Sequence, residues 1–127
     1  MTAVVQVNVI VADLERSRVF YERLGLAFRA RNRHGDGPAE AWVSTNVGIT
    51  VVLHSTEFAS WWDESAPRPS PGGPQVDLDL DSAEALDAVV EALDTTVVKT
   101  PTDMPWGQRL AIVLDPDGYR IGLKAPL

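Results

Sequence analysis

Cysteine is absent from this chain of 127 residues, which excludes a disulfide scaffold, a thiolate metal site and a cysteine nucleophile. No apolar run approaches the ~20 residues of a membrane span, and Met1–Asn8 lacks the basic start of a secretory signal. The expected location is therefore the cytoplasm. Basic residues are scarce, 11 against 18 acidic ones, for a formal charge of -7. That excess repels phosphate backbones and anionic lipid, so neither nucleic acid nor a membrane surface is an expected partner, whereas a cationic ligand is tolerated. No Ser-His-Asp or Gly-x-Ser-x-Gly pattern occurs, and no phosphate-binding glycine-rich loop follows a strand. The chain is 45% hydrophobic and 23% charged, an ordinary globular balance, and its length suits one domain. Its four tryptophans exceed what a core of this size requires.

The chain carries a duplication. Gln6–Val11 is short and β-branched and reads as a buried strand, and Asp13 then caps a helix with Leu14, Ser17, Phe20, Tyr21 and Leu24 on one face and Gly25 past its end. A shift of 69 residues lays Gln6 on Gln75, Val7 on Val76 and Asp13 on Ser82. The same shift lays the helix face on Ala83, Leu86, Val89, Val90 and Leu93. Three strands are predicted after each helix: Leu26–Arg31, Ala39–Val43 and Gly48–His54, then Thr96–Thr100, Gln108–Leu114 and Tyr119–Lys124. Asp115-Pro116-Asp117-Gly118 has the composition of a tight hairpin turn, and Gly118 answers Gly48 at a shift of 70. The predicted fold is α+β, a single domain over 1–127 of two βαβββ modules, 1–64 and 75–127. The proline-rich segment 65–74 is a stiff linker between them.

The run Val7-Asn8-Val9-Ile10-Val11-Ala12-Asp13-Leu14-Glu15-Arg16-Ser17, followed by Phe20-Tyr21-Glu22-Arg23-Leu24-Gly25, resembles the opening of the glyoxalase/bleomycin resistance/extradiol dioxygenase superfamily, also called the vicinal oxygen chelate fold. Met104-Pro105-Trp106-Gly107 and Asp115-Pro116-Asp117-Gly118 resemble its closing stretch, most of all in the bleomycin-resistance-like branch. The resemblance implies modules whose mixed sheets curl around a cleft, usually in a homodimer. It also implies that the enzymes hold one divalent metal through side chains on the first and last strands of each module. The matching positions here are Gln6, Val52, Gln75 and Gly122. Two neutral amides, a hydrocarbon and a missing side chain are poor company for such an ion. No metal, no cofactor and no catalytic residue are expected.

Strand parity assigns faces. If Gln6 and Gln75 face the cleft, so do Asn8, Ile10, Asp77 and Asp79, with Thr50, Val52 and His54 on the fourth strand and Arg120, Gly122 and Lys124 on the last. Val7, Val9, Val76, Leu78 and Leu80 then face the helices. Asp77 and Asp79 are a general acid/base pair, a wall attractive to a cation or a solvated outer face, and His54 is either a general base or a hydrogen-bonded wall residue. His34 lies in a polar loop and reads as solvated. Trp42 is either core or cleft, and Trp106 either packs over the sheet end or meets a ligand. Trp61 and Trp62 are adjacent, so at least one of them is expected at a cleft edge or a subunit interface.

The expectation is a non-catalytic protein that sequesters a large, partly planar aromatic natural product, such as an antibiotic. Gln6, Asn8, His54, Gln75 and Asp77 are the expected polar contacts, and Phe28, Trp42, Trp62 and Trp106 the stacking faces. A lyase, isomerase or dioxygenase with an atypical metal site is the enzyme alternative, and an accessory protein with a vestigial cleft is a third.

Overall fold

Asp13 and Ser82, the two expected helix caps, both hold extended backbone, and their side-chain oxygens accept from Arg16 N and Ala85 N, respectively. Each thereby satisfies one N–H that the first helical turn leaves unpaired. The computed structural model describes residues Met1–Leu127. It divides into two compact units, Met1–Pro69 and Ser70–Leu127.

The first unit runs β1 (Gln6–Val11), α1 (Leu14–Arg23), β2 (Phe28–Arg31), β3 (Ala41–Ser44), β4 (Thr50–Ser55) and α2 (Thr56–Trp62). The second runs β5 (Val76–Asp79), α3 (Ala83–Ala92), β6 (Val97–Met104), β7 (Gln108–Leu114) and β8 (Arg120–Pro126). The sheets have the orders β1-β4-β3-β2 and β5-β8-β7-β6, so the duplication read from sequence recurs as one topology. In each, the strand before the long helix pairs parallel with the last strand, and the remaining pairs are antiparallel. This is the α+β arrangement of two four-stranded mixed sheets with three helices, consistent with the vicinal oxygen chelate fold. No helix is long and apolar enough to cross a membrane.

Helix α1 ends where glycine permits. Gly25 has φ +102, Gly25 N donates to Glu22 O and Leu26 N to Tyr21 O, which closes a Schellman motif and tucks Leu26 into the core. Strand β2 therefore begins at Phe28 and not at the expected Leu26. Two further differences have local causes. Strand β6 continues past Thr100 through Pro101 to Met104, because it lies at a sheet edge, where a missing N–H is tolerated. The segment after His54 is the helix α2, which sequence reading left unassigned. Ser55 caps it by accepting from Phe58 N, and Phe58, Trp61 and Trp62 stand at helical spacing.

The cores lie between each sheet and its long helix. Val51 and Leu53 are buried in the first unit with Phe20, Tyr21 and Leu24, and Leu86 is buried in the second with Ala111, Val113, Ile121 and Leu123. Part of the proline-rich segment belongs to the second unit. Gly118, at φ +86, closes the Asp115 turn through Gly118 N to Asp115 O at 2.9 Å, and a Cβ on it would stand 3.2 Å from Pro71 Cγ. Gly118→Ala should accordingly lower stability by about 1–2 kcal/mol, the usual strain of a left-handed non-glycine residue. A urea midpoint equal to that of the parent chain would show that the turn does not need this backbone conformation.

Candidate functional site

Register decides which side chains meet. In the first unit Asn8 stands beside Val52, Ile10 beside His54 and Gln6 beside Thr50, while Val52 and His54 pair across with Val43 and Ala41. These residues share the face opposite α1. In the second unit Asp77 stands beside Gly122 and Asp79 beside Lys124, on the face opposite α3.

On each face the same small network forms. Gln6 Nε2 donates to Asn8 Oδ1 at 2.7 Å, and Gln75 Nε2 donates to Asp77 Oδ1 at 2.8 Å. The last strand then contributes a nitrogen: His54 Nε2 lies 2.9 Å from Asn8 Oδ1, and Lys124 Nζ lies 3.8 Å from Asp77 Oδ2. Arg120 Nε reaches Gln75 Oε1 at 3.4 Å. Asp77 is thus neither a bare carboxylate nor one of a free pair, because a lysine of its own sheet lies beside it.

Helix α2 differentiates the two faces. It covers this side of the first sheet, where Phe58 is buried with Ala41, Val43 and Val52. The Phe58 ring is stacked on His54 (centroids 5.9 Å, 16° between planes) and on Trp61 (5.8 Å, 18°), and Trp62 leans on His54 (5.4 Å, 57°). Arg33 extends the stack, its guanidinium 4.8 Å from the Trp61 ring while it also pairs with Glu40 at 2.6 Å. His54 is only 4% exposed, yet Trp61 remains 58% and Trp62 47% exposed. Burial, with a smaller contribution from Arg31, holds the His54 imidazole below its ordinary pKa.

The nine expected contact residues do not all come together. Gln6, Asn8 and His54 form one network, Trp62 covers it, and Gln75 with Asp77 forms the other. Trp106, 63% exposed, stands in the β6–β7 turn with its indole N–H donating to Gln108 Oε1 at 3.0 Å. Trp42 and Phe28 lie elsewhere. Trp42 faces α1, donating to Glu15 Oε1 at 3.2 Å beneath the Arg18 guanidinium, and Phe28 shares that face through its pairing with Ser44. The reason is parity: Trp42 is one residue from Ala41 and Val43, which face α2. Phe58, Trp61 and Arg33 are the members of the stack absent from the expected set. The serine cap and the i, i+3, i+4 spacing of the aromatics were the signal for the first two. An open depression of about 680 Å³ also occurs in the first unit, lined by Asp13, Glu15, Arg33, His34, Glu40 and Glu57 among others, and none of the nine residues lines it.

The four positions matched to family metal ligands do not fit a divalent ion. Both glutamine amides are engaged by the neighbouring Asn8 and Asp77, and Val52 is a fully buried hydrocarbon. At Gly122 a Cβ would overlap Asp77 Oδ1 and lie 2.7 Å from Gln75 Nε2, so the space of a ligand side chain already holds a carboxylate. No three His, Asp, Glu or Cys side chains converge anywhere in the structure. The donor set lacks the imidazole and carboxylate company that such ions require.

Two predictions follow from this geometry. Gly122→Ala should cost about 1–3 kcal/mol through overpacking, and much of that should vanish in an Asp77→Ala background, because the two changes share one space. Additive losses in chemical denaturation would show that Asp77 does not occupy the Gly122 position. For His54, the unfolded chain takes up a proton near pH 6.5 that the folded chain resists. The stability from this group is present above that pH and is lost as the pH falls through the lowered folded-state value. The slope is at most about 1.4 kcal/mol per pH unit. Denaturation between pH 7.5 and 5.5 should show the slope in the parent and a shallower one in His54→Phe; equal slopes would contradict the assigned burial.

The sequence model of the Glyoxalase/Bleomycin resistance protein/Dioxygenase superfamily matches residues 3–123. No curated protein matches the chain at a significant level. Among solved structures, a hypothetical protein, SA1046, from S. aureus is 23% identical with a TM-score of 0.76, over 98% of this chain and 94% of that one. A glyoxalase/bleomycin resistance protein/dioxygenase family enzyme from Burkholderia phytofirmans PsJN is 19% identical with a TM-score of 0.76, over 99% and 100%. A superfamily member from Sphaerobacter thermophilus DSM 20745 is 27% identical with a TM-score of 0.68, over 98% of both chains. The structural likenesses carry the fold, and the sequence match carries the family: this chain belongs to the glyoxalase/bleomycin resistance protein/dioxygenase superfamily.

Proposed function

We propose that this chain is a non-catalytic binding protein of the superfamily, one that sequesters a planar aromatic small molecule such as an antibiotic. The observation that carries the reading is the state of the tryptophans. Three of the four, Trp61, Trp62 and Trp106, are about half exposed or more, and each is held in place: Trp61 by Phe58 and Arg33, Trp62 by His54, Trp106 by Gln108. Exposed rings fixed in position lose little freedom on stacking with a ligand, which is what makes aromatic contacts effective in binding sites.

The metal-ligand positions support the same reading from the other side. Enzymes that polarise a substrate through a metal need donors at those positions, and here they are amides, a hydrocarbon and a glycine. The polar pair Gln6 and Asn8 in the first unit and the pair Gln75 and Asp77 in the second supply hydrogen bonds in their place, and a charge of -7 is compatible with a cationic ligand. A homodimer is part of the proposal, since each βαβββ unit is small for independent stability.

A planar aromatic antibiotic should quench tryptophan fluorescence saturably. Trp62→Ala and Trp106→Ala should each weaken binding by about 1–4 kcal/mol, the effect of truncating an aromatic hot spot. Stability should change by only about 0.5 kcal/mol for Trp106→Ala, a surface substitution. For Trp62→Ala the loss should stay below the ~3–5 kcal/mol of a core tryptophan. Unchanged affinity for the whole antibiotic panel in both variants would remove the tryptophans from the ligand and the proposal with them.

A further inference from the structure

We infer that the ligand of the first unit carries a hydrogen-bond donor on the edge of its aromatic ring, a phenol-type O–H or a ring N–H. His54 Nδ1 is the acceptor that receives it, beneath Trp62. The inference rests on the reading of this chain as an aromatic-ligand binder and narrows the class of ligand.

The orientation of two side-chain amides sets the tautomer. Gln6 Nε2 donates to Asn8 Oδ1, and with the amides in this orientation the same oxygen accepts from His54 Nε2–H. In the neutral ring the proton is then on Nε2, and Nδ1 carries a lone pair. Nδ1 is buried and has no hydrogen-bond partner in the protein. Buried acceptors of this kind are nearly always paired, and an isolated one in a residue 4% exposed is an acceptor that asks for a donor.

The protein groups around the ring do not supply one. Ala41 and Ile10 are its strand neighbours, Asn8 takes its other nitrogen, and Phe58 and Trp62 lie against the ring. The charged group nearest in effect is Arg31, which makes no hydrogen bond to it and whose charge, after burial, favours the neutral imidazole. Trp62 is the member at the open edge of the stack. It is the last residue of a seven-residue helix, is 47% exposed, and meets the imidazole at a tilt of 57°, where Phe58 is buried and near-parallel at 16°. A planar ring that stacks beside the Trp62 indole gains that partner and brings its edge to Nδ1.

The test uses the full chain with 15N-labelled histidine and two probes of nearly one shape, 2-naphthol and 2-methylnaphthalene, in which a methyl group replaces the hydroxyl. The free protein should show one protonated and one unprotonated His54 nitrogen. Saturation with 2-naphthol should move the unprotonated signal in the direction of a hydrogen-bonded acceptor. Calorimetry should find 2-naphthol bound at least about tenfold more tightly than the methyl analogue, the effect of one satisfied buried acceptor. His54→Phe, which keeps a ring in the stack, should bind the two equally. Equal affinities in the parent chain, or a His54 signal that does not move, would overturn the inference and leave the aromatic-binding reading standing. Binding of neither probe would overturn both. Should His54→Phe fail to fold, the two probes on the parent chain decide the matter alone.

Discussion

The parallel pairing of β1 with β4, repeated as β5 with β8, is the constraint from which the rest of the structure derives. A parallel pair needs a long crossover, and in each unit the crossover carries the capped helix and the two strands between. With a helix packed on one face, side-chain alternation leaves no freedom on the other: a slip of one residue would bury Asp77 against α3 and expose Leu78. That register sets Asn8 beside Val52 and Asp77 beside Gly122, and the rest of each polar network follows.

The two units use this shared frame differently. In both, a glutamine donates to an asparagine or aspartate two residues on, and a basic residue of the last strand approaches the same acceptor. In the first unit α2 folds back over the network, so histidine becomes a buried neutral ring and Val52 becomes core. In the second, which has no counterpart to α2, the charged version of the pair persists, with Lys124 at Asp77. Burial explains the exchange of residue type. An unpaired ammonium under Phe58 and Trp62 would be costly, whereas an imidazole sheds its proton and stays.

The same geometry accounts for the poor fit of a divalent ion to the four matched positions. At Gly122 a neighbouring carboxylate fills the space a side chain would take, and at Val52 an apolar side chain completes a core under Phe58. Neither position is a bare gap. What remains on these faces is hydrogen-bonding capacity and, at the end of α2, a stack of rings that runs from buried to exposed.

Much of this was written in local pattern. The caps at Asp13 and Ser82, the periodic helix faces, the Asp115 turn and the 69-residue repeat are short-range signals, and the topology follows from their order. Alternation likewise placed Asn8 with His54 and Asp77 with Gly122, because parity is a property of the strand itself. Tertiary structure alone decided the rest. Trp42 and Phe28 are set by which strand residues pair, and one position's difference in β3 turns Trp42 to α1 and away from His54. The stack of Arg33, Trp61, Phe58 and His54 joins a loop, a helix and a strand. Phe58 and Trp61 share the period of α2, but Arg33 and His54 lie on other elements and share no period with them, so only the packing of α2 on the sheet brings these groups into contact.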